Sequence, residues 1–358
     1  MEKKLRVGLV GLGGICNVAH MPAYVQMEDV EICAICDCNE EKIAAFREKW
    51  DLPTVPAFTD YKAMLAQVQL DSVDICTPNY LHSEIAVEAL ERGLHVFCEK
   101  PDAVSVSEAV RMQKAAETSG RHLMVMRNNR YVPASRYLKA FIADGKMGEI
   151  YCGRCGWQRR RGIPGKGGWF TTKALSGGGP LIDLGVHFID LSIWLMGNPT
   201  PVAVSGCTYQ KFADTDVSDS VHSAFGEKKS GGTFDVEDLA MGMIRFDNGA
   251  CLQIEFSWAS NVEKENNFVE LRGTKAGSCY SNGQLKIFTE EHGSCVDLVP
   301  VTANQQVNSP AHGANLRHFI DVVLYGAEPD FVPAQGVNMI KILEAMYQSA
   351  QTGREIRL

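Results

Sequence analysis

"KLRVGLVGLGGICNVAHMPAY", residues 4–24, is the stretch whose reading decides the fold. Leu5 to Val10 form an apolar run suited to a buried strand, Gly11, Gly13 and Gly14 follow, and a helix-compatible stretch begins at Ile15. Strand, glycine turn and helix in that order make the setting of a dinucleotide site. The glycines allow a sharp turn and let backbone N–H groups approach a pyrophosphate at the helix N-terminus. Cys16 stands where the fingerprint usually has Gly or Ala, and cysteine is small enough to fit. Taken alone, the motif also admits a plain structural turn as the lesser reading.

Working outward, "VEICAICDCNEEKIAAF" (residues 30–46) reads as a second buried strand ending in Asp37. Asp37 lies at the spacing of a carboxylate that accepts from an adenosine ribose hydroxyl. The same charge would repel a 2′-phosphate, and no Arg or Lys follows directly, so NAD is expected over NADP. The other reading of Asp37 is a helix N-cap. Helices and strands then alternate through "DYKAMLAQV" (60–68), "DSVDICTPNYLHSEIAVEALERG" (71–93), "LHVFCEKP" (94–101), "SVSEAVRMQKAAETSG" (105–120) and "HLMVMRN" (122–128). This order predicts a parallel, doubly wound sheet over residues 1–127, with ligands at the C-terminal ends of its strands. "CTPN" (76–79) and "CEKP" (98–101) both fall at such ends.

The chain of 358 residues suits about two domains. Its net charge of −8 argues against nucleic-acid and anionic-membrane partners, which demand a basic surface, and makes a small molecule the default partner. Two lysines before the first apolar run faintly imitate a signal peptide, but the run is glycine-rich and carries no small-residue cleavage site. No segment approaches the roughly 18 apolar residues that would span a bilayer, so a cytoplasmic location is expected. Among the 12 cysteines, the pairs Cys33/Cys36 and Cys152/Cys155 tempt a zinc or disulfide reading. Both lie in strand-like runs, where residues three apart point to opposite faces, so no metal site is expected and buried reduced thiols are.

From residue 128 to 358 the texture changes to strands joined by turns: "EIYCGRCGWQRR" (149–160), "PVAVSGCTYQKF" (201–212), "LAMGMIRFDNGACLQIEFSWAS" (239–260), "FVELRGTKAG" (268–277), "QLKIFTEE" (284–291) and "CVDLVPV" (295–301). Asp247-Asn248-Gly249 marks a hairpin. A largely antiparallel open sheet results, closed by helices in "HGANLRHFIDVVLYG" (312–326) and "GVNMIKILEAMYQSAQTG" (336–353), which makes this half an α+β domain. Within it, "GGGPLIDLGVHFID" (177–190) reads as a buried helix carrying Asp183 and His187 on one face. Such a pair is either a hydrogen-bonded structural pair or part of a site. "WQRRRGIPGKGGWF" (157–170) joins arginines to two tryptophans. Aromatic faces stack on sugar rings and arginines bind hydroxyls, carboxylates or phosphates, so Trp157, Arg159, Arg161 and Trp169 are candidate substrate contacts. A solvated basic loop is the alternative.

"EKP" (99–101), "TPNYLH" (77–82), "NNRYVPASRYLKAFIADGKMGEI" (128–150) and "GGGPLIDLGVHFID" together resemble the Gfo/Idh/MocA family of glucose–fructose and inositol-type oxidoreductases, over nearly the whole chain. The resemblance implies a Rossmann domain followed by a substrate and oligomerisation domain, with Lys100 as catalytic lysine and Asp183 and His187 completing the site. Cofactor contacts are then expected from Gly11, Gly13, Gly14, Ile15 and Asp37 on one side and from Thr77, Asn79, His82, Glu99 and Lys100 on the other. Asn128 and Arg130 join the substrate contacts. It further implies a homodimer or homotetramer. Chemistry agrees: oxidising a secondary alcohol needs a hydride acceptor on one side of the carbon and a base for the hydroxyl proton on the other. A lysine can be that base where burial and a nearby cation favour its neutral form, and histidine can relay the proton. The expected reaction is NAD-dependent hydride transfer at a secondary hydroxyl or ketone of a sugar, polyol, inositol or glycoside. The alternatives are a glycosidase that recycles its NAD, a dehydrogenase of phosphorylated sugars, and a non-catalytic NAD-dependent regulator.

Overall fold

A computed structural model describes residues 4–301 and 310–358. The chain divides into two compact units, Met1–Asn128 with Gln306–Val337, and Asn129–Gln305 with Asn338–Leu358. The first holds a six-stranded sheet of β1 (Leu5–Val10), β2 (Val30–Cys36), β3 (Ala57–Phe58), β4 (Ser72–Ile75), β5 (His95–Cys98) and β6 (Leu123–Val125). The strand order is β3-β2-β1-β4-β5-β6, and every pairing is parallel. The chain runs outward from β1 on one side and resumes at β4 on the other, so the crevice for a dinucleotide opens beyond the C-terminal ends of β1 and β4. Local chemistry sets the helix ends. Asn39 caps Glu40–Trp50 by accepting from the Glu41 and Lys42 amides, and Ser105 caps Val106–Ser119, which Gly120 terminates at φ 63°.

The helix Pro310–Tyr325 also belongs to this first unit, although a domain boundary at 128 assigns it to the second half. Its buried Leu316, Phe319 and Ile320 form the reason, with Phe319 lying 5.3 Å from Phe97 of β5. Asn315 accepts from the Arg127 amide at 2.6 Å, and Arg317 pairs with Asp29 at 2.7 Å. An amphipathic helix is drawn to whichever sheet its apolar stripe fits, irrespective of chain order.

The second unit is built on a nine-stranded sheet. Its strands are β7 (Ile150–Gln158), β8 (Pro201–Tyr209), β9 (Leu239–Phe246), β10 (Cys251–Ser257), β11 (Asn266–Gly273), β12 (Gly277–Ser281), β13 (Gln284–Glu291), β14 (Ser294–Leu298) and β15 (Ile356–Arg357). Their order is β14-β13-β12-β11-β7-β10-β9-β8-β15, antiparallel throughout save for the β7–β10 pair. The Asp247-Asn248-Gly249 hairpin joins β9 to β10, with Gly249 at φ 84°. The short strands β3, β12 and β15 went unread in the sequence, being too brief or too polar for a period to show. All 12 cysteines are free, with Cys33 and Cys36 on β2 and Cys152 and Cys155 on β7.

Candidate active site

In the first unit, Gly11 leaves β1 at φ 92°, and a Cβ there would lie 2.6 Å from the Cys76 carbonyl at the end of β4. Only glycine lets the two strand ends approach so closely. Around the Cβ position of Gly13 there is nothing within 4 Å, which leaves backbone open where the fingerprint brings a pyrophosphate. The helix starts at Gly14 and Ile15, and Cys16, fully buried, closes it onto the sheet. Asn17 clamps the turn by donating to the Leu12 and Gly13 carbonyls, and accepts from Trp50. The Asp37 carboxylate takes the Leu12 amide at 2.9 Å and the Asn39 amide at 3.0 Å. It thus stands beside the glycine turn, while the N-cap role goes to Asn39. These residues fit a dinucleotide: a glycine turn aimed at a helix start, an open cradle at Gly13 and a carboxylate at the second strand's end.

Gly11→Ala is expected to cost about 2 kcal/mol or more, through its positive φ and the approach to Cys76. Gly13→Ala should leave the unfolding midpoint in place and weaken NAD binding. Thermal unfolding beside an NAD titration of both variants checks the contrast.

The loops after β4 and β5 are stapled together by His82, whose Nδ1 lies 2.8 Å from the Pro101 carbonyl and Nε2 3.0 Å from that of Thr77. Burial lowers the pKa of His82, while the hydrogen bonds to both carbonyls work the other way. Asn79 is buried at the start of the turn Asn79–Leu81. Lys100 follows β5 half-buried, joined to Pro101 by a cis peptide, and its backbone N–H donates to Glu99 Oε2 at 3.0 Å. The other Glu99 oxygen lies 2.8 Å from His20 Nε2, while His20 Nδ1 lies 2.7 Å from Asp74, which also accepts from the Tyr24 hydroxyl at 2.9 Å. Burial disfavours charge on His20, yet Asp74 and Glu99 more than reverse this and raise its pKa well above the ordinary value. Burial likewise pushes Glu99 up, but the His20 hydrogen bond and charge outweigh it and hold Glu99 at about 2. His20, Asp74 and Cys76 lie close enough to hold a metal ion, but both imidazole nitrogens already face carboxylates.

The second unit carries the other candidates. Gly177, at φ 85°, ends the short helix Lys173–Ser176. Side chains at Gly178 and Gly179 would strike the Tyr347 hydroxyl and the Glu237 carbonyl. That approach lets the buried Glu237 carboxylate accept from the Gly179 and Leu181 amides at 3.0 and 3.1 Å, and from Tyr347 at 2.9 Å. The next turn, Leu181–Gly185, is π-helical, not α-helical, before the α-helix Val186–Leu195. Asp183 therefore sits within a widened turn that leads into the helix carrying His187, a distortion frequent at functional sites. The fully buried Trp258 donates to Asp183 Oδ2 at 3.0 Å.

Trp157 packs edge-on to Phe188 at 5.7 Å and donates to Glu265. Arg159, only 4% exposed, lies 4.5 Å over the Trp157 ring; burial lowers its pKa, and the charges of Asp183 and Glu265 work the other way. Trp157 and Arg159 thus share the surroundings of Asp183. Arg161 is held by the Ser260 carbonyl and Asn261, and Trp169 stacks on Phe170 at 3.9 Å. Asn128 opens the turn Asn128–Tyr131. Arg130 departs from expectation: 1% exposed and bidentate on Asp190 at 2.8 and 2.6 Å, it braces the helix that carries His187. Sequence reading missed Asn17, His20, Asp74, Glu237 and His222, whose ring packs edge-on to Trp157 at 5.3 Å. Only Asp74 left a signal, an acid inside a wholly buried strand, which must be paired.

Residues 5–127 match the oxidoreductase family with an NAD-binding Rossmann fold, and residues 135–278 match the GFO/IDH/MocA C-terminal domain. The chain is 33% identical to D-glucoside 3-dehydrogenase of Escherichia coli (strain K12), over 99% of this chain and 97% of that one. Levoglucosan dehydrogenase in complex with NADH and levoglucosan shares the fold at a TM-score of 0.87 and 24% identity, covering 99% of both chains. GenD2 from gentamicin A biosynthesis, in complex with NAD, aligns at a TM-score of 0.79 and 27% identity over 100% of this chain and 97% of that one.

Proposed function

The chain belongs to the GFO/IDH/MocA family of NAD-binding oxidoreductases, and from that premise we propose that it oxidises a ring hydroxyl of a glycoside or sugar, or reduces the matching ketone. The observation that carries this is Lys100, anchored by Glu99 at the C-terminal end of β5 in the NAD-binding unit. NAD, when bound, supplies the hydride acceptor. Lys100 takes the hydroxyl proton, His187 relays it, and Asp183, fixed by Trp258, orients the substrate. Trp157 offers an aromatic face and Arg159 a desolvated guanidinium to sugar hydroxyls, with Arg161, Trp169 and Asn128 as outer contacts. Arg130 is left out of this set because its charge is spent on Asp190.

Glycosides head the candidates because the relative matching end to end is named for D-glucosides. NAD is preferred to NADP because Asp37 would repel a 2′-phosphate. The reading includes a homo-oligomer working in the cytoplasm; no described helix is long and apolar enough to cross a membrane.

The test is a panel of glycosides, free sugars, inositols and sugar phosphates assayed with NAD and with NADP at the absorbance of the reduced cofactor. Accumulating NADH with a glycoside or sugar is expected, with kcat/KM for NAD higher than for NADP by about tenfold or more. Sugar release without net NADH would make the protein an NAD-recycling hydrolase. Turnover confined to phosphorylated sugars would move the substrate class, and no turnover with any of them would overturn the reading.

A further inference from the structure

Behind Lys100 lies a buried charge network that the hydride transfer proposed above does not itself employ. His20 is wholly buried, with Nδ1 2.7 Å from Asp74 Oδ2 and Nε2 2.8 Å from Glu99 Oε1. A neutral imidazole donates from one nitrogen only, so two carboxylates at these distances are both served only by a ring carrying two protons. Tyr24 donates to the same Asp74 oxygen, and Phe97 packs edge-on to the ring at 6.1 Å. The free end of the chain of contacts is Glu99 Oε2, which receives the Lys100 backbone N–H.

We propose that His20 is a positioning residue for Lys100: as an imidazolium between Asp74 and Glu99, it fixes the Glu99 carboxylate under the Lys100 backbone and leaves one net negative charge behind the amine. The inference rests on Lys100 being the proton acceptor. The groups facing His20 are Asp74, Glu99 and the Cys76 thiol at 3.4 Å, with Tyr24 on Asp74 and the Cys16 thiol on Cys76 behind them, and beyond Glu99 stand Lys100 itself and His312 from the helix Pro310–Tyr325. His312, which burial lowers to about 4, adds no cation near neutrality. Removing the imidazolium would leave two buried carboxylates in contact. One of them would then hold a proton into the neutral range and release Glu99 from its post, and wherever both were ionised the added negative charge would keep the Lys100 amine protonated. Both effects move the rise of activity to higher pH.

The experiment measures kcat against pH, with NAD affinity by titration, in the full-length protein. His20→Gln is expected to lower kcat at pH 7 by about tenfold to a hundredfold, to shift the acid limb upward and to leave NAD affinity nearly unchanged. Adding Asp74→Asn to that variant restores a single negative charge and should recover part of kcat and return the limb toward its original place. Should His20→Gln fail to fold, His20→Asn carries the same test, its expected shift again being to higher pH. An equal loss at every pH with no recovery in the double variant, or an unaltered kcat in the His20 variants, would overturn the assignment. A Lys100→Ala variant of undiminished turnover would instead remove the proton acceptor itself, whatever His20 does.

Discussion

Lys100→Ala is expected to lower kcat by about a thousandfold, within the range that a positioned proton acceptor contributes, while NAD still binds. The separation follows from where the parts sit. The glycine turn and Asp37 hold their own hydrogen bonds at the ends of β1 and β2, and none of those bonds involves the Lys100 side chain. Glu99 receives the lysine through its backbone, so truncating the side chain leaves the Glu99 to His20 contact standing. Steady-state kinetics with the best substrate of the panel, paired with a fluorescence titration of NADH, checks both halves. Equal losses in turnover and NADH affinity would mean that the lysine only holds the cofactor, and undiminished turnover would take the chemistry elsewhere.

The largest effect on stability is expected at Arg130. Arg130→Ala should cost about 3–5 kcal/mol, because it takes the bidentate cation away from the Asp190 carboxylate, 4% exposed. For a unit of this size that corresponds to a fall of about ten degrees in the unfolding midpoint. The sign with pH is informative. Deprived of that cation at a buried position, the Asp190 carboxyl would favour its neutral form, so the variant's deficit should shrink as pH falls and grow as pH rises. Arg130→Met combined with Asp190→Leu, which removes both charges, should regain most of the loss. Thermal unfolding over a pH series checks all three, and a deficit independent of pH would mean that lost packing against Trp194, 5.8 Å from the guanidinium, dominates instead.

What the sequence settled by itself was local. The turn at Gly11 and Gly13, the parallel alternation of the first 127 residues, the acid at Asp37 and the hairpin at Gly249 could be read because each depends on a few neighbouring residues. Glycine's freedom at positive φ and the two- and 3.6-residue periods act over that range. The motifs around Lys100, Asp183 and His187 were legible in the same way, as short strings. Only the tertiary structure showed that Asp183 lies in a π turn ahead of His187 and that Glu237, 58 residues from Gly179, caps the glycine run. Likewise it gave Arg130 to Asp190, 60 residues on, and joined His20 to partners 54 and 79 residues away. A buried charge must find its counter-charge wherever the fold brings one within about 3 Å. Spacing along the chain carries no record of that, because strand order and helix packing decide which distant residues become neighbours.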